Sequence, residues 1–150
     1  MRRLLIALAA AALITGLGIP VALPAAASPY PTWCGSWDPN PAGNIHVTVD
    51  GSGAGPDGSK WQILIGQRPS TGVYYYWATL SHAKPGDQIA LIWQYNNNGE
   101  QYQCGNAQGD RTATVYSGTT GTYTSGVPAS SVTSYDCELW AVNNSSSYCY

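Results

Sequence analysis

Residues 73–95 read VYYYWATLSHAKPGDQIALIWQY, in which two apolar and aromatic runs, Val73–Leu80 and Gln88–Tyr95, flank a polar segment. Both runs are rich in the aromatic and β-branched residues that are enriched in strands. The segment between them contains Lys84–Asp87, whose Lys-Pro-Gly-Asp sequence is typical of a tight turn. The stretch therefore predicts a β-hairpin that turns around Ser81–Asp87.

Pairing Leu80 with Gln88 divides this predicted hairpin into two faces of different character. The first face is almost entirely apolar or aromatic and comprises Val73, Tyr75, Trp77, Thr79, Ile89, Leu91, Trp93 and Tyr95. The second face is mixed and comprises Tyr74, Tyr76, Ala78, Leu80, Gln88, Ala90, Ile92 and Gln94. A strand with one buried face resists a one-residue slip, so this register predicts that the first face lies in the core.

The rest of the chain shows short alternating or apolar stretches and no convincing helical periodicity. Further strands are predicted at Asn44–Asp50, Lys60–Gln67, Glu100–Cys104, Asp110–Tyr116 and Val132–Val142. The Gly-rich stretch Asp50–Gly58 predicts a loop, and Ser117–Ser131 predicts either a long loop or a weak strand around Gly121–Ser125. About seven short strands at this spacing predict an all-β, single-domain antiparallel β-sandwich or small barrel.

The amino-terminal residues have the pattern of an export signal. Arg2 and Arg3 precede an apolar run that Gly and Pro interrupt, and small residues at Ala25–Ala27 fit a cleavage site. A retained membrane anchor is the rival interpretation, and the export route, general or twin-arginine, stays open. We expect a signal peptide over residues 1–27 and one secreted domain over residues 28–150, without membrane association after cleavage.

Charge is sparse, which limits the partners that the chain can recognise. The sequence has six Lys and Arg against eight Asp and Glu, and loss of the predicted signal would leave four basic residues and a net charge of −4. Because binding to nucleic-acid phosphates needs clustered basic side chains, nucleic acid is not an expected partner.

All four cysteines, Cys34, Cys104, Cys137 and Cys149, lie in the predicted secreted domain. An even number of cysteines in an exported domain predicts two disulfides. No pair has the close spacing of a zinc site, so no metal is expected. The pairing stays open, since Cys34 could join either Cys104 or Cys149 and three connectivities are possible in all.

Tryptophan and tyrosine dominate the aromatic residues, with six Trp, eleven Tyr and no Phe. Both side chains join an apolar body to a polar tip, which suits them to binding surfaces. Three groups are candidates for ligand contact: Trp33 with Trp37 in a Pro-rich stretch, Tyr74 with Tyr76 and Gln94 on the mixed hairpin face, and Asp136 with Glu138 and Trp140 on the last strand.

Each group also has a purely structural explanation. Trp33 and Trp37 form either an exposed platform or a plug over an open end of the sandwich. Tyr74 and Tyr76 either stack on flat ligand rings or pack beneath another segment. Asp136 and Glu138 are either ligand acceptors, a hydrolase pair or a solvated strand face.

No catalytic pattern emerges from the sequence, and neither His46 nor His82 belongs to one. We therefore expect a secreted, non-enzymatic binding domain, without a cofactor, that recognises carbohydrate such as cell-wall or environmental polysaccharide. The alternative is a secreted inhibitor or protein-interaction module acting on an extracellular protein such as a hydrolase, because Tyr and Trp also anchor protein interfaces. An enzyme ranks third, and the sequence indicates neither the ligand's identity nor the oligomeric state.

Overall fold

A computed structural model describes residues 31–35, 37–39, 45–105, 112–141 and 146–149 of the chain. The predicted signal peptide over residues 1–27, and its cleavage site, lie outside the described residues.

The described residues form ten β-strands and one 3-10 turn. The strands are β1 Ile45–Ala54, β2 Lys60–Gln67, β3 Tyr74–Ser81, β4 Gln88–Tyr95, β5 Gln101–Cys104, β6 Ala113–Thr114, β7 Gly121–Tyr123, β8 Val127–Pro128, β9 Val132–Trp140 and β10 Ser146–Tyr148, with the 3-10 turn at Ala129–Ser131 between β8 and β9. The predicted all-β class is confirmed. Of the two interpretations of Ser117–Ser131, a long loop or a weak strand around Gly121–Ser125, the strand is present as β7. In this part of the chain no helix is long and apolar enough to cross a membrane.

The strands form two antiparallel sheets that pack face to face. The first sheet has the order β1-β2-β3-β7, with β8 also paired to β3, and the second has the order β10-β9-β4-β5, with β6 also paired to β4. Both sheets contribute to one core, which includes Trp61, Ile63, Ala78 and Leu80 from the first and Ile89, Leu91, Trp93, Cys137 and Leu139 from the second. The predicted β-sandwich is therefore confirmed.

The predicted hairpin between β3 and β4 is wrong, because the two strands belong to different sheets. The connection Ser81–Asp87 crosses from the first sheet to the second. It is held by the Ala83 N–H, which donates to the Thr120 carbonyl at 3.0 Å, and by the Gly86 N–H, which donates to the Val115 carbonyl at 2.7 Å. Turn chemistry specified a tight reversal of the chain but not which strands would pair after it.

The predicted core face is correct for β4 and reversed for β3. On β4 the core residues are Ile89, Leu91 and Trp93, as expected. On β3 they are Ala78 and Leu80, whereas Trp77 is buried on the opposite face beneath Trp37. Because apolar side chains are buried on both faces of β3, its alternation did not distinguish the core face from the outer one.

β1 extends beyond Asp50 to Ala54, so the predicted loop over Asp50–Gly58 is wrong at its start. Gly53 lies directly opposite Trp61 on β2. A Cβ atom at Gly53 would lie 2.7 Å from the indole ring, so the ring covers bare glycine backbone. Gly53 therefore leaves space for the Trp61 ring, and β1 can continue past Asp50.

Two disulfides brace the sandwich, as predicted. Cys34 pairs with Cys104, and Cys137 pairs with Cys149, with Cα–Cα distances of 4.9 and 5.0 Å. The first bond joins the segment before β1 to β5, and the second joins β9 to the residue after β10. Of the pairings that the sequence left open, this is the one that the fold adopts.

The segment made of residues 31–35 and 37–39 lies along one side of the sandwich. Thr32 forms a parallel bridge with Gln103 of β5, and Trp37 forms an antiparallel bridge with Gly126, just before β8. Since β5 belongs to the second sheet and β8 to the first, the segment links the two sheets across their shared side.

Candidate functional site

An aromatic cluster of Trp33, Trp93, Tyr95 and Tyr102, which we call the Trp33 cluster, lies at the end of the β4–β5 hairpin. The Trp33 ring centroid is 4.7 Å from that of Trp93, 5.0 Å from that of Tyr95 and 5.7 Å from that of Tyr102. Trp93 is 1% exposed, whereas Trp33 is 41% exposed. Trp93 is thus the buried base of the cluster, and Trp33 offers the accessible ring.

Strand register brings the base of this cluster together. Trp93 on β4 lies directly opposite Tyr102 on β5, and their ring centroids are 5.3 Å apart with 30° between the planes. Tyr95 projects from the same face of β4 two residues later, because side chains alternate along a strand. The three side chains therefore meet at one end of the core.

Backbone contacts hold Trp33 against this base. The Trp33 N–H donates to the Gln103 carbonyl at 3.1 Å, and the Trp93 Nε1–H donates to the Trp33 carbonyl at 3.2 Å. The next residue, Cys34, is joined to Cys104 by a disulfide. Trp33 is therefore held through its backbone N–H, through its carbonyl oxygen and through the disulfide of the next residue.

Polar groups surround the tyrosine hydroxyls of the cluster. The Asn97 Nδ2 donates to the Tyr95 Oη at 2.6 Å. The Glu100 Oε2 accepts from the Tyr102 Oη at 2.8 Å and from the Asn98 Nδ2 at 2.9 Å. The Asn98 Oδ1 in turn accepts from the Glu100 backbone N–H at 3.0 Å. The hairpin loop thus supplies a set of amide and carboxylate groups beside the rings.

An open groove of about 520 Å³ adjoins this polar rim and is lined by Pro31, Gln94, Gly99, Glu100 and Gln101. The Gln94 Nε2 donates to the Gly99 carbonyl at 2.7 Å, which fixes the amide along the groove. Glu100 lines the groove and also accepts from Tyr102, so this residue lies between the groove and the Trp33 cluster. Gln94 and Gln101 pair on the face of the sheet opposite to that of Trp93 and Tyr102.

The second predicted group, Tyr74 with Tyr76 and Gln94, is divided between the two sheets. Tyr74 is 42% exposed at the start of β3. Tyr76 is half-buried, with its ring centroid 4.5 Å from that of Tyr135, whose hydroxyl donates to Asp50. Burial, with Asp50 as a second cause, raises the pKa of Tyr76. The Tyr76–Tyr135 pair therefore joins the sheets, and Tyr74 is the accessible ring.

Trp37 does not join Trp33 in a shared platform. It is 8% exposed and lies on the outer face of the first sheet, with its ring centroid 4.6 Å from Tyr75 and 5.7 Å from Trp77. A Cβ atom at Gly126 would lie 2.6 Å from the Trp37 ring, so this ring too covers glycine backbone. The structure thus places Trp37 as packing over β3.

Asp136, Glu138 and Trp140 share the outer face of the second sheet, as their spacing predicted. Asp136 lies opposite Ile92, and Glu138 lies opposite Ala90. Glu138 is only 8% exposed and Trp140 only 6% exposed, whereas Asp136 is half-buried. The sequence allowed these residues to form a solvated strand face. The structure instead buries Glu138 and Trp140.

Burial dominates the electrostatics of these two acids. The Glu138 Oε2 is buried without a hydrogen-bond partner, and burial raises the pKa of the Glu138 carboxyl. Burial also raises the pKa of Asp136, although the Cys137 N–H opposes this shift by donating to the Asp136 Oδ1 at 2.7 Å. Both carboxyl groups therefore bind protons more tightly than exposed acids do.

Sequence reasoning missed the residues that complete the Trp33 cluster. It assigned Tyr95 to the core and Tyr102 to the predicted strand Glu100–Cys104. The available signal was the run of amide residues directly after an aromatic strand end. Without the register of β4 and β5, this run of amides did not show that the loop lies beside the aromatic rings.

Among the described residues, no three His, Cys, Asp or Glu side chains gather in a way that could hold a metal ion. Comparisons of the chain with protein families, with curated proteins and with solved structures each gave no match.

Proposed function

We propose that this protein is a secreted carbohydrate-binding domain without catalytic activity and that the Trp33 cluster is its binding surface. The observation that carries the proposal is a 41% exposed indole held on three other aromatic rings, beside a rim of amide and carboxylate groups. A sugar ring presents an apolar C–H face that packs on an indole and hydroxyls that bond to amides and carboxylates.

The adjoining groove supports a ligand longer than one sugar ring. Its volume of about 520 Å³ is open to solvent, so a ligand in it would stay partly exposed. The lining side chains Gln94 and Gln101 offer amide donors and acceptors, which suit neutral hydroxyl groups. The proposal therefore includes the groove as a second place for a sugar residue, beyond Glu100, which separates the groove from Trp33.

Rigidity also supports binding at this surface. Trp33 is held by two backbone hydrogen bonds and lies next to a disulfide, so little conformational freedom remains to be lost when a ligand binds. Two disulfides are also compatible with an oxidising, extracellular location, which the export pattern of residues 1–27 predicts.

Among the other residues predicted to contact a ligand, Tyr74 is exposed, whereas Tyr76, Asp136 and Gln94 are half-buried. Gln94 belongs to the groove. Trp37, Glu138 and Trp140 are each more than nine-tenths buried, so the proposal does not use them.

An inhibitor that presents a braced loop is the second candidate. It has less support, because Thr32 and Trp37 tie the segment made of residues 31–35 and 37–39 to the sandwich rather than letting it protrude.

The proposal is tested by calorimetric titration of the purified protein with a panel of soluble oligosaccharides. For any glycan that binds, Trp33→Ala is expected to weaken binding about tenfold or more, because truncating a central aromatic anchor usually costs over 1 kcal/mol. Tyr116→Ala is the matched control, since Tyr116 is 68% exposed outside the cluster. Its affinity should equal that of the unmodified protein.

Thermal unfolding of each variant distinguishes lost binding from lost structure. The proposal is overturned if no glycan binds the folded protein. Equal losses of affinity in the Trp33 and Tyr116 variants, both folded, would also overturn it.

A further inference from the structure

We infer, resting on the proposed function, that the Trp33 cluster selects glycans that carry protonated amino groups, such as polymers of glucosamine, over neutral and acidic ones.

The first support is the Glu100 carboxylate. Glu100 is exposed, and its Oε2 accepts from the Tyr102 hydroxyl and the Asn98 amide, which are both uncharged donors. These contacts orient the carboxylate without neutralising its charge. An ammonium group on a bound sugar would provide the missing positive charge through a charge-assisted hydrogen bond.

The aromatic rings beside this carboxylate are the second support. The plane of Trp33 makes angles of 69° with Tyr95 and 65° with Tyr102, so the rings pack edge to face, and Trp33 keeps 41% of its surface exposed. Aromatic faces carry negative electrostatic potential, which attracts cations. Tyr102 also bonds directly to Glu100, so an ammonium group near that carboxylate lies close to the cluster.

The groove provides the third support, because its other lining residues, Pro31, Gln94, Gly99 and Gln101, are all uncharged. Neither the Trp33 cluster nor the groove contains a Lys or Arg. The carboxylate or sulfate groups of an acidic glycan would therefore face Glu100, and none of these lining residues has a basic side chain to offset the repulsion. The surface thus disfavours acidic glycans and favours cationic ones.

The test compares two ligands that differ at the amino groups. A glucosamine hexamer and its fully N-acetylated counterpart are titrated into the protein at a mildly acidic pH, at which the free amino groups are protonated. The glucosamine hexamer is expected to bind roughly five- to tenfold more tightly, as one exposed charge pair with a cation–π contact allows. Added salt should reduce this difference, because it screens exposed charges.

Two variants assign the preference to Glu100. Glu100→Gln keeps the shape and the acceptor oxygen but removes the charge, so it should weaken binding of the glucosamine hexamer to the level of the acetylated one. Binding of the acetylated hexamer should not change. Asp50→Asn removes one negative charge outside the site, on β1, and should leave both affinities unchanged.

The outcomes separate this inference from the proposed function. Equal affinity of the unmodified protein for both hexamers overturns the amino preference but not carbohydrate binding. So does a Glu100→Gln variant that loses affinity for both hexamers equally. Failure of the unmodified protein to bind any glycan overturns both. The salt dependence is measured on the unmodified protein, so it tests the preference even if a variant does not fold.

Discussion

Glu138 places a carboxyl group on the outer face of β9 with one of its oxygens, Oε2, buried. Its Oε2 has no hydrogen-bond partner, and the neighbouring strand contributes Ala90 and Ile92 on the same face. An ionised carboxylate in such surroundings is disfavoured unless it is paired. Glu138 therefore lowers the stability of the fold at any pH at which it is charged.

The sign of this effect follows from the direction of the pKa shift. Burial raises the pKa of Glu138 above its unfolded-state value, so the folded state holds the proton more tightly. The contribution of Glu138 to stability is therefore fully present at pH values below the unfolded-state pKa, near pH 4. It is lost as the pH rises through the higher folded-state pKa. Asp136 on the same face shifts in the same direction, so the two residues act together.

Glu138→Gln is expected to raise the free energy of unfolding at neutral pH by on the order of 1 kcal/mol, because a buried neutral amide costs less than a buried carboxylate. At acidic pH, at which Glu138 is protonated, the gain should disappear. Chemical denaturation at several pH values measures both quantities. Glu100→Gln, which removes an exposed carboxylate, is the control and should leave stability nearly unchanged. A stability gain from Glu138→Gln that is the same at acidic and neutral pH would contradict the expectation.

At the scale of elements, three indole rings cover glycine backbone: Trp61 over Gly53, Trp77 over Gly66 and Trp37 over Gly126. In each pair a Cβ atom on the glycine would lie between 2.6 and 2.7 Å from the ring. Real side chains do not approach so closely, so each glycine makes the packing of its tryptophan possible. These pairs position β1, β2, β3 and the segment before β1 relative to one another.

Gly53→Ala is expected to destabilise the fold by about 1–3 kcal/mol, the usual cost of overpacking. Gly51→Ala is the matched control, because it lies on the same strand and its Cβ would be 3.5 Å from the same indole, an ordinary contact. Thermal and chemical denaturation give the two values. Combining Gly53→Ala with Trp61→Leu should recover part of the loss, since the smaller side chain removes the clash. Equal effects of the two alanine substitutions would rule out this explanation.

The faces of β3 and β4 show how far sequence reasoning reaches at this scale. On β4 the alternation identified Ile89, Leu91 and Trp93 as core, because the opposite face begins and ends with glutamine. On β3 the pattern was ambiguous, since Trp37 buries Trp77 on the outer face while Ala78 and Leu80 fill the core. Trp37 is far from β3 in sequence, so local periodicity carried no information about that contact.

At the scale of the whole molecule, the two disulfides close loops of very different length. Cys34 and Cys104 are 70 residues apart, whereas Cys137 and Cys149 are 12 apart. Chain-entropy arguments assign about 4 kcal/mol to the longer loop and about 3 kcal/mol to the shorter one. The longer loop also fixes the segment that carries Trp33.

The double variant Cys34→Ser with Cys104→Ser should therefore lose about 1 kcal/mol more stability than Cys137→Ser with Cys149→Ser. Chemical denaturation of both variants under non-reducing conditions measures the difference. Glycan affinity is the second readout, and it should fall in the first variant and persist in the second while each remains folded. Similar losses of affinity in both variants would show that the bond beside Trp33 has no particular role in binding.

The amino-acid sequence was sufficient to predict the all-β class, most of the strand positions and the use of two disulfides. These properties follow from local composition and from short-range alternation of apolar and polar residues. Only the folded chain shows that β3 and β4 lie in different sheets, which cysteines pair, and that Trp37, Glu138 and Trp140 are buried while Trp33 stays accessible. Those outcomes depend on contacts between segments far apart in the chain, and such contacts leave no periodic signal in either partner alone.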